Sequence, residues 1–186
     1  MQKTGDGVVV GVVHGRFQLF HNDHLKYVLG AAARCDYLLI GITNPDVSLT
    51  VPCAANPHRS SLEANPFSYY ERMTMIRGAV LEAGLVRAAF DIVPFPINRP
   101  DLLLNYVPAD GVYYMSIYDD WGWEKKAVLD DLGLQVEVWS ERSLEEKGLS
   151  GTDVRALIAA GDSSWQTQIP PFVRDYLLET GLVERL

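Results

Sequence analysis

The stretch Val8-Val9-Val10-Gly11-Val12-Val13-His14-Gly15-Arg16-Phe17-Gln18-Leu19-Phe20-His21-Asn22-Asp23-His24 joins an apolar run to a short polar turn. Val8–Val13 is apolar at both parities, as a strand buried on both faces requires. The run stops at Gly15, and from about Asp23 the residues Leu25, Val28, Leu29 and Ala32 recur at helical spacing. Strand, loop and helix follow in order, and Tyr37–Ile42 supplies the next strand of a β-α-β unit. Ligands of such sheets bind beyond the carboxyl ends of the strands, so this loop is where chemistry is expected. It carries Arg16, His21 and His24. Two imidazoles at a helix N-terminus, where backbone N–H groups also point outward, make an anion site. Gly15 permits a tight turn and a close approach to a ligand. His14 reads as a hydrogen-bonded structural histidine and is left out of the site.

Outward from this unit, the chain alternates strand and helix. Ser68 to Ala83 is a predicted helix with a capping box, Ser68 and Glu71, and a stop at Gly84. Phe90–Val93 is a strand, Asp101–Val107 a helix, Val112–Met115 a strand, and Trp123–Leu132 a helix stopped by Gly133. Val136–Trp139 is the last strand; helices over Thr152–Ala160 and Pro171–Thr180 close the chain, ended by Gly161 and Gly181. This pattern predicts a single α/β domain over residues 1–186, a doubly wound parallel sheet. Asn44 to Pro66 breaks the alternation with four prolines and no periodicity, and reads as a lid, a binding loop or a surface excursion.

Bulk composition narrows the partners. A net charge of −8 argues against broad nucleic-acid binding, although a few cations in a pocket can still hold phosphates. Two cysteines, Cys35 and Cys53, fit neither a disulfide framework nor a metal cluster, and no signal peptide or membrane-length apolar segment is visible. A cytoplasmic protein without a membrane partner is expected.

Gly15-Arg16-Phe17-Gln18 followed by His21-Asn22-Asp23-His24-Leu25 resembles the GRFQP-x-H-x-G-H-L signature of archaeal-type nicotinamide mononucleotide adenylyltransferases. These belong to the HxGH nucleotidylyltransferase superfamily, with a Rossmann-like fold. Ser150-Gly151-Thr152-Asp153-Val154-Arg155 is similar to the family's I-S-x-T-x-x-R segment, and Asn65-Pro66-Phe67-Ser68-Tyr69-Tyr70-Glu71-Arg72-Met73 to its N-P-F-x-x-x-E-R-M stretch. By position, the resemblance implies catalytic roles for His21, His24, Arg16 and Arg155. It implies nucleotide contacts for Gly15, Phe17, Gln18, Ser150 and Thr152, and a site role for Arg72. Ser150 and Thr152 are also good caps for the next helix. Lys147 is a weaker candidate in the same polar run.

The departures fall mostly on the substrate pockets. Leu103 stands where the family carries a tryptophan that stacks on nicotinamide, and Met115-Ser116-Ile117-Tyr118-Asp119-Asp120-Trp121 replaces its T-G-N segment. Losing a stacking aromatic costs about a kcal/mol, roughly tenfold in affinity. The longer loop adds His58 and Arg59, suited to gripping a phosphate or phosphonate beside Arg72 and Asn98. A smaller acceptor fits these changes, and related folds carry cytidylyltransferases that load small phosphonates such as phosphonoformate. Asp23 replaces the family glycine and either narrows the pocket or caps the helix.

The expected reaction is transfer of a nucleotidyl group from CTP or ATP to a small phosphate- or phosphonate-bearing acceptor, with release of pyrophosphate. Mg²⁺ would be held mainly by the triphosphate, with no protein metal site. Three other readings stand beside this one. They are an ATP-dependent nicotinamide mononucleotide adenylyltransferase, a nucleotide-binding regulator without turnover, and a zinc hydrolase using His21 and His24. A homo-oligomer is left open.

Overall fold

The computed structural model describes residues 7–46, 64–141 and 148–186. Five parallel strands form one sheet in the order β3-β2-β1-β4-β5. They are β1 (Val10–Gly15), β2 (Tyr37–Thr43), β3 (Phe90–Phe95), β4 (Val112–Ile117) and β5 (Gln135–Glu141). Between and after them lie α1 (Asn22–Ala32), α2 (Tyr69–Glu82), α3 (Pro100–Leu103), α4 (Asp120–Asp131), α5 (Gly151–Ala159) and α6 (Pro171–Thr180). This is the doubly wound, Rossmann-like arrangement that the alternation predicts.

Strand parity decides which core a residue joins. Val13 and Tyr114 pack with Val28 of α1, Ile76 of α2, Val154 of α5 and Val173 of α6. Their neighbours Val12 and Tyr113 face the other way, into a core with Leu103 of α3 and Leu129 of α4. Both faces are covered, which is why the central strands read as unbroken apolar runs. β1 pairs with β2 over six residues but with β4 over only two, Gly11↔Val112 and Val12↔Tyr113. Beyond Val12 the two central strands part, and a crevice opens where the strand order reverses.

Several element ends differ from expectation for local reasons. The helix expected over Asp101–Val107 is only Pro100–Leu103, because Pro108 biases Val107 away from helical geometry. Tight turns, Asn105 N to Leu102 O and Tyr106 N to Leu103 O, carry the chain onward. α4 starts before Trp123 because the Asp119 side chain caps Gly122 N at 2.9 Å. β3 continues through Pro94 to Phe95, which an edge strand tolerates. The Ser68–Glu71 capping box and the left-handed stop at Gly181 (φ 69°) are as the sequence predicts. Most of the Asn44–Pro66 loop, residues 47–63, lies outside the described residues, and so do Lys147 and Cys53.

Candidate active site

A cavity of about 440 Å³ lies over the parted carboxyl ends of β1 and β4. One wall is the turn from Gly15 to His24, and facing it is the segment Gly148 to Thr152. Thr43, Asn44, Ile97 and Asn98 close a second side, and Met115, Ser116, Tyr118, Trp121 and Lys125 close a third. The two sequence motifs therefore meet across one space.

His21 is the N-cap of α1, and His24 lies in its first turn. Their rings stack at 3.7 Å between centroids, 24° apart. His24 is wedged further by the edge of Phe17 at 5.0 Å and by Phe20 at 5.7 Å. Phe17 takes a left-handed backbone (φ 52°) and folds its ring back over Gly15, where a Cβ would lie 2.7 Å from the ring. Gly15 is thus required by the turn itself. With the first-turn N–H groups of α1, the two imidazoles offer convergent donors to an anion.

Asp23 ties the two motifs together. Its Oδ2 accepts from Leu149 N at 2.9 Å, and its Oδ1 from Lys26 Nζ at 2.8 Å. The Lys26 hydrogen bond comes first among the causes that hold its carboxyl below the usual range; burial opposes it, and Leu149 N–H adds to it. Gly148 allows the approach, since a Cβ there would sit 2.3 Å from Asp23 Oδ2. At Gly151 a Cβ would lie 2.5 Å from Gln18 O, so the α5 N-terminus presses against the first motif. Ser150 caps α5 in a capping box with Asp153, and Thr152 lines the cavity.

Other residues expected in the site act through the backbone. Gln18 lines the cavity but spends its amide on Phe67, donating to its O and accepting from its N, both at 2.9 Å. Arg72, 2% exposed, donates to Arg16 O at 3.0 Å, Thr43 O at 2.8 Å, Asn44 O at 2.8 Å and Ser68 O at 3.2 Å. It lies behind the cavity wall, and burial draws its pKa down to about 10, so it stays charged. Arg155 donates to Gln18 O and to Thr152 Oγ1 and is not among the lining residues; burial lowers its pKa. Arg16 and Asn98 do line the cavity, Asn98 donating to Asn44 Oδ1 at 3.2 Å. His58 and Arg59 lie outside the described residues. Leu103 is fully buried in the α3/α4 core and offers the cavity no plate.

Among the lining residues without a site role assigned from the sequence are His14, Tyr27, Thr43 and Lys125, while Tyr118 and Trp121 belong to the segment that replaces T-G-N. Trp121 and Lys125 are spaced i, i+4 on α4, a signal that was readable once Asp119 is taken as the cap. Among the described residues, no group of three or more His, Cys, Asp or Glu is placed to hold a metal ion. No helix among them is long and apolar enough to cross a membrane.

A family model described as cytidylyltransferase-like matches residues 12–157. A phosphonoformate cytidylyltransferase from Streptomyces viridochromogenes is 44% identical over 176 residues, covering 95% of this chain and 94% of that protein. A nicotinamide-nucleotide adenylyltransferase from Methanospirillum hungatei is 31% identical over 172 residues, 92% of this chain and 88% of its own. In fold, the chain is similar to a bifunctional NMN adenylyltransferase/ADP ribose pyrophosphatase from Francisella tularensis. There the TM-score is 0.67 at 17% identity, over 96% of this chain and 52% of that one.

Proposed function

The chain belongs to the cytidylyltransferase-like family, and from that premise we propose that it moves a cytidylyl group from CTP to a small phosphonate such as phosphonoformate. The observation that carries this reading is the 44% identity, over nearly the whole of both chains, to an enzyme of that activity. The site supports it. Its triphosphate end keeps His21, His24, Arg16 and the facing N-termini of α1 and α5, while Leu103 sits in the core where a nicotinamide would need a stacking plate.

The reaction is in-line displacement. A phosphonate oxygen attacks the α-phosphorus of CTP, the bond from that phosphorus to the bridging oxygen breaks, and pyrophosphate leaves. His21 and His24 donate to the phosphate oxygens as charge shifts toward the leaving group, and Arg16 adds a cation. Arg155 and Arg72 hold Gln18 O and Arg16 O, and so keep the turn in shape as positioning residues. Tyr118 and Trp121 offer faces for the base. Asp23 is the one carboxylate among the described lining residues, and both its oxygens are engaged. A divalent cation, Mg²⁺ in the expected case, would be held by triphosphate oxygens and water, supplying charge neutralisation.

A matrix of CTP and ATP against phosphonoformate and nicotinamide mononucleotide, read by pyrophosphate release, tests the reading. CTP with phosphonoformate should turn over; strong turnover of ATP with nicotinamide mononucleotide would overturn the assignment. Single-turnover pyrophosphate release excludes a non-catalytic regulator. His24→Ala should lower kcat about 10²–10⁴-fold with the fold intact, and a near-normal rate would remove His24 from the mechanism.

A further inference from the structure

Val12 and Tyr113 are the last register pair between β1 and β4. Extending that parallel ladder by one pair, Val13 with Tyr114, would require the His14 backbone N–H to donate to Tyr114 O. The hydroxyl of Tyr27 stands in its stead. It donates to Tyr114 O at 2.5 Å. The His14 backbone hydrogen bond falls on the same phenol, lowering its pKa, second in size to the burial that pushes it up. Tyr27 is thus a donor to one strand and an acceptor from the other, between the two groups that would close the ladder.

Packing fixes the phenol as well. Tyr27 lies three residues after His24, on the same face of α1, and lines the cavity. Its ring meets Trp139 of β5 edge to face, 5.7 Å between centroids, and Trp139 also packs on Tyr114 at 5.1 Å. α1 and β5 therefore hold the ring from two sides. The groups on either side of the split differ in task. The turn after β1 and the start of α1 carry Arg16, His21 and His24, the phosphate end. The segment after β4 carries Tyr118 and Trp121, which offer faces to the base. A nucleotide that uses both must match the distance between the two strand ends.

We propose that Tyr27 is a positioning residue for the nucleotide: its hydroxyl splints β1 and β4 apart and sets the span between the phosphate end and the base faces. This rests on the transferase reading and deepens it, since the span selects ligands that reach both ends. A whole nucleoside triphosphate depends on the splint. Pyrophosphate, which needs the phosphate end only, does not. Without the hydroxyl, the His14 N–H and the Tyr114 carbonyl can pair with each other, and the floor of the crevice closes by one residue.

The test compares wild type with Tyr27→Phe, which keeps the ring and loses the hydroxyl. Binding of CTP and of pyrophosphate, each with Mg²⁺, is measured by calorimetry. Tyr27→Phe should weaken CTP by roughly tenfold or more and leave pyrophosphate within about twofold. A CTP affinity that holds, or a loss shared equally by pyrophosphate, overturns the splint. NMR reads it in wild type without any substitution. The Tyr27 hydroxyl proton should exchange slowly and show a cross-peak to the His14 amide. A hydroxyl proton that exchanges at once, or a hydrogen-bond coupling from His14 N directly to the Tyr114 carbonyl carbon, overturns the splint even were the variant not to fold. Wild type that binds ATP in place of CTP sinks the cytidylyl reading alone, and ATP then serves as the whole nucleotide in the same comparison. Wild type that binds neither triphosphate removes both.

Discussion

Asp23 stands where the related signature has glycine, and its Oδ2 reaches a backbone N–H 126 positions away, Leu149 N at 2.9 Å. The Lys26 partner is 77% exposed, so that pair contributes little. The Leu149 bond is different, because it sets how close the α5 N-terminus comes to α1. Asp23→Ala should cost about 1–2 kcal/mol in urea unfolding and raise KM for CTP; an unchanged midpoint and KM would show the tether to be redundant. At this scale the sequence displays residue types well and partners poorly. His21, His24 and Arg16 are legible because they are neighbours in the chain. What Asp23 does was not, because its partner is a backbone group brought near only by folding. His14 reads as structural at the end of an apolar run, and it is indeed buried against Phe95; only the parting of β1 from β4 also puts it at the cavity.

Arg72 shows what an element can demand of one side chain. Its guanidinium joins the start of α2 to the end of β2 and to the turn after β1 through four carbonyls. Arg72→Met should destabilise by about 3–5 kcal/mol, since it leaves buried carbonyls unpaired. Urea unfolding measures this, and a loss under about 1 kcal/mol would show that the carbonyls find other donors. The helix carrying Arg72 was legible in full, from the Ser68–Glu71 box to Gly84, because caps and stops are local chemistry. α3 was not, since one proline eight residues past its start outweighs an apolar pattern. The start of α4 was hidden in the same way by a glycine, Gly122, that a capping aspartate makes harmless.

For the molecule as a whole, the pH response follows from His14. Its folded pKa lies well below the ordinary value of 6.5, chiefly through burial, so the folded ring stays neutral where the unfolded chain takes up a proton. Its contribution to stability is complete above about pH 6.5 and is lost as the pH falls below that. The Tm should fall between about pH 7 and pH 5, with a shallower fall in His14→Phe; equal slopes would assign the loss to other groups. The alternation that identifies a doubly wound sheet was legible throughout, because both faces of the sheet are covered and the strands are therefore apolar. The short β1–β4 pairing was not, and it governs traffic. Val12, Tyr113 and Leu129 lie buried in one core beneath the crevice, so in the proposed reaction pyrophosphate would leave on the side from which CTP enters. Added pyrophosphate should inhibit competitively against CTP. Net flux then depends less on the enzyme than on how quickly the surroundings hydrolyse its by-product.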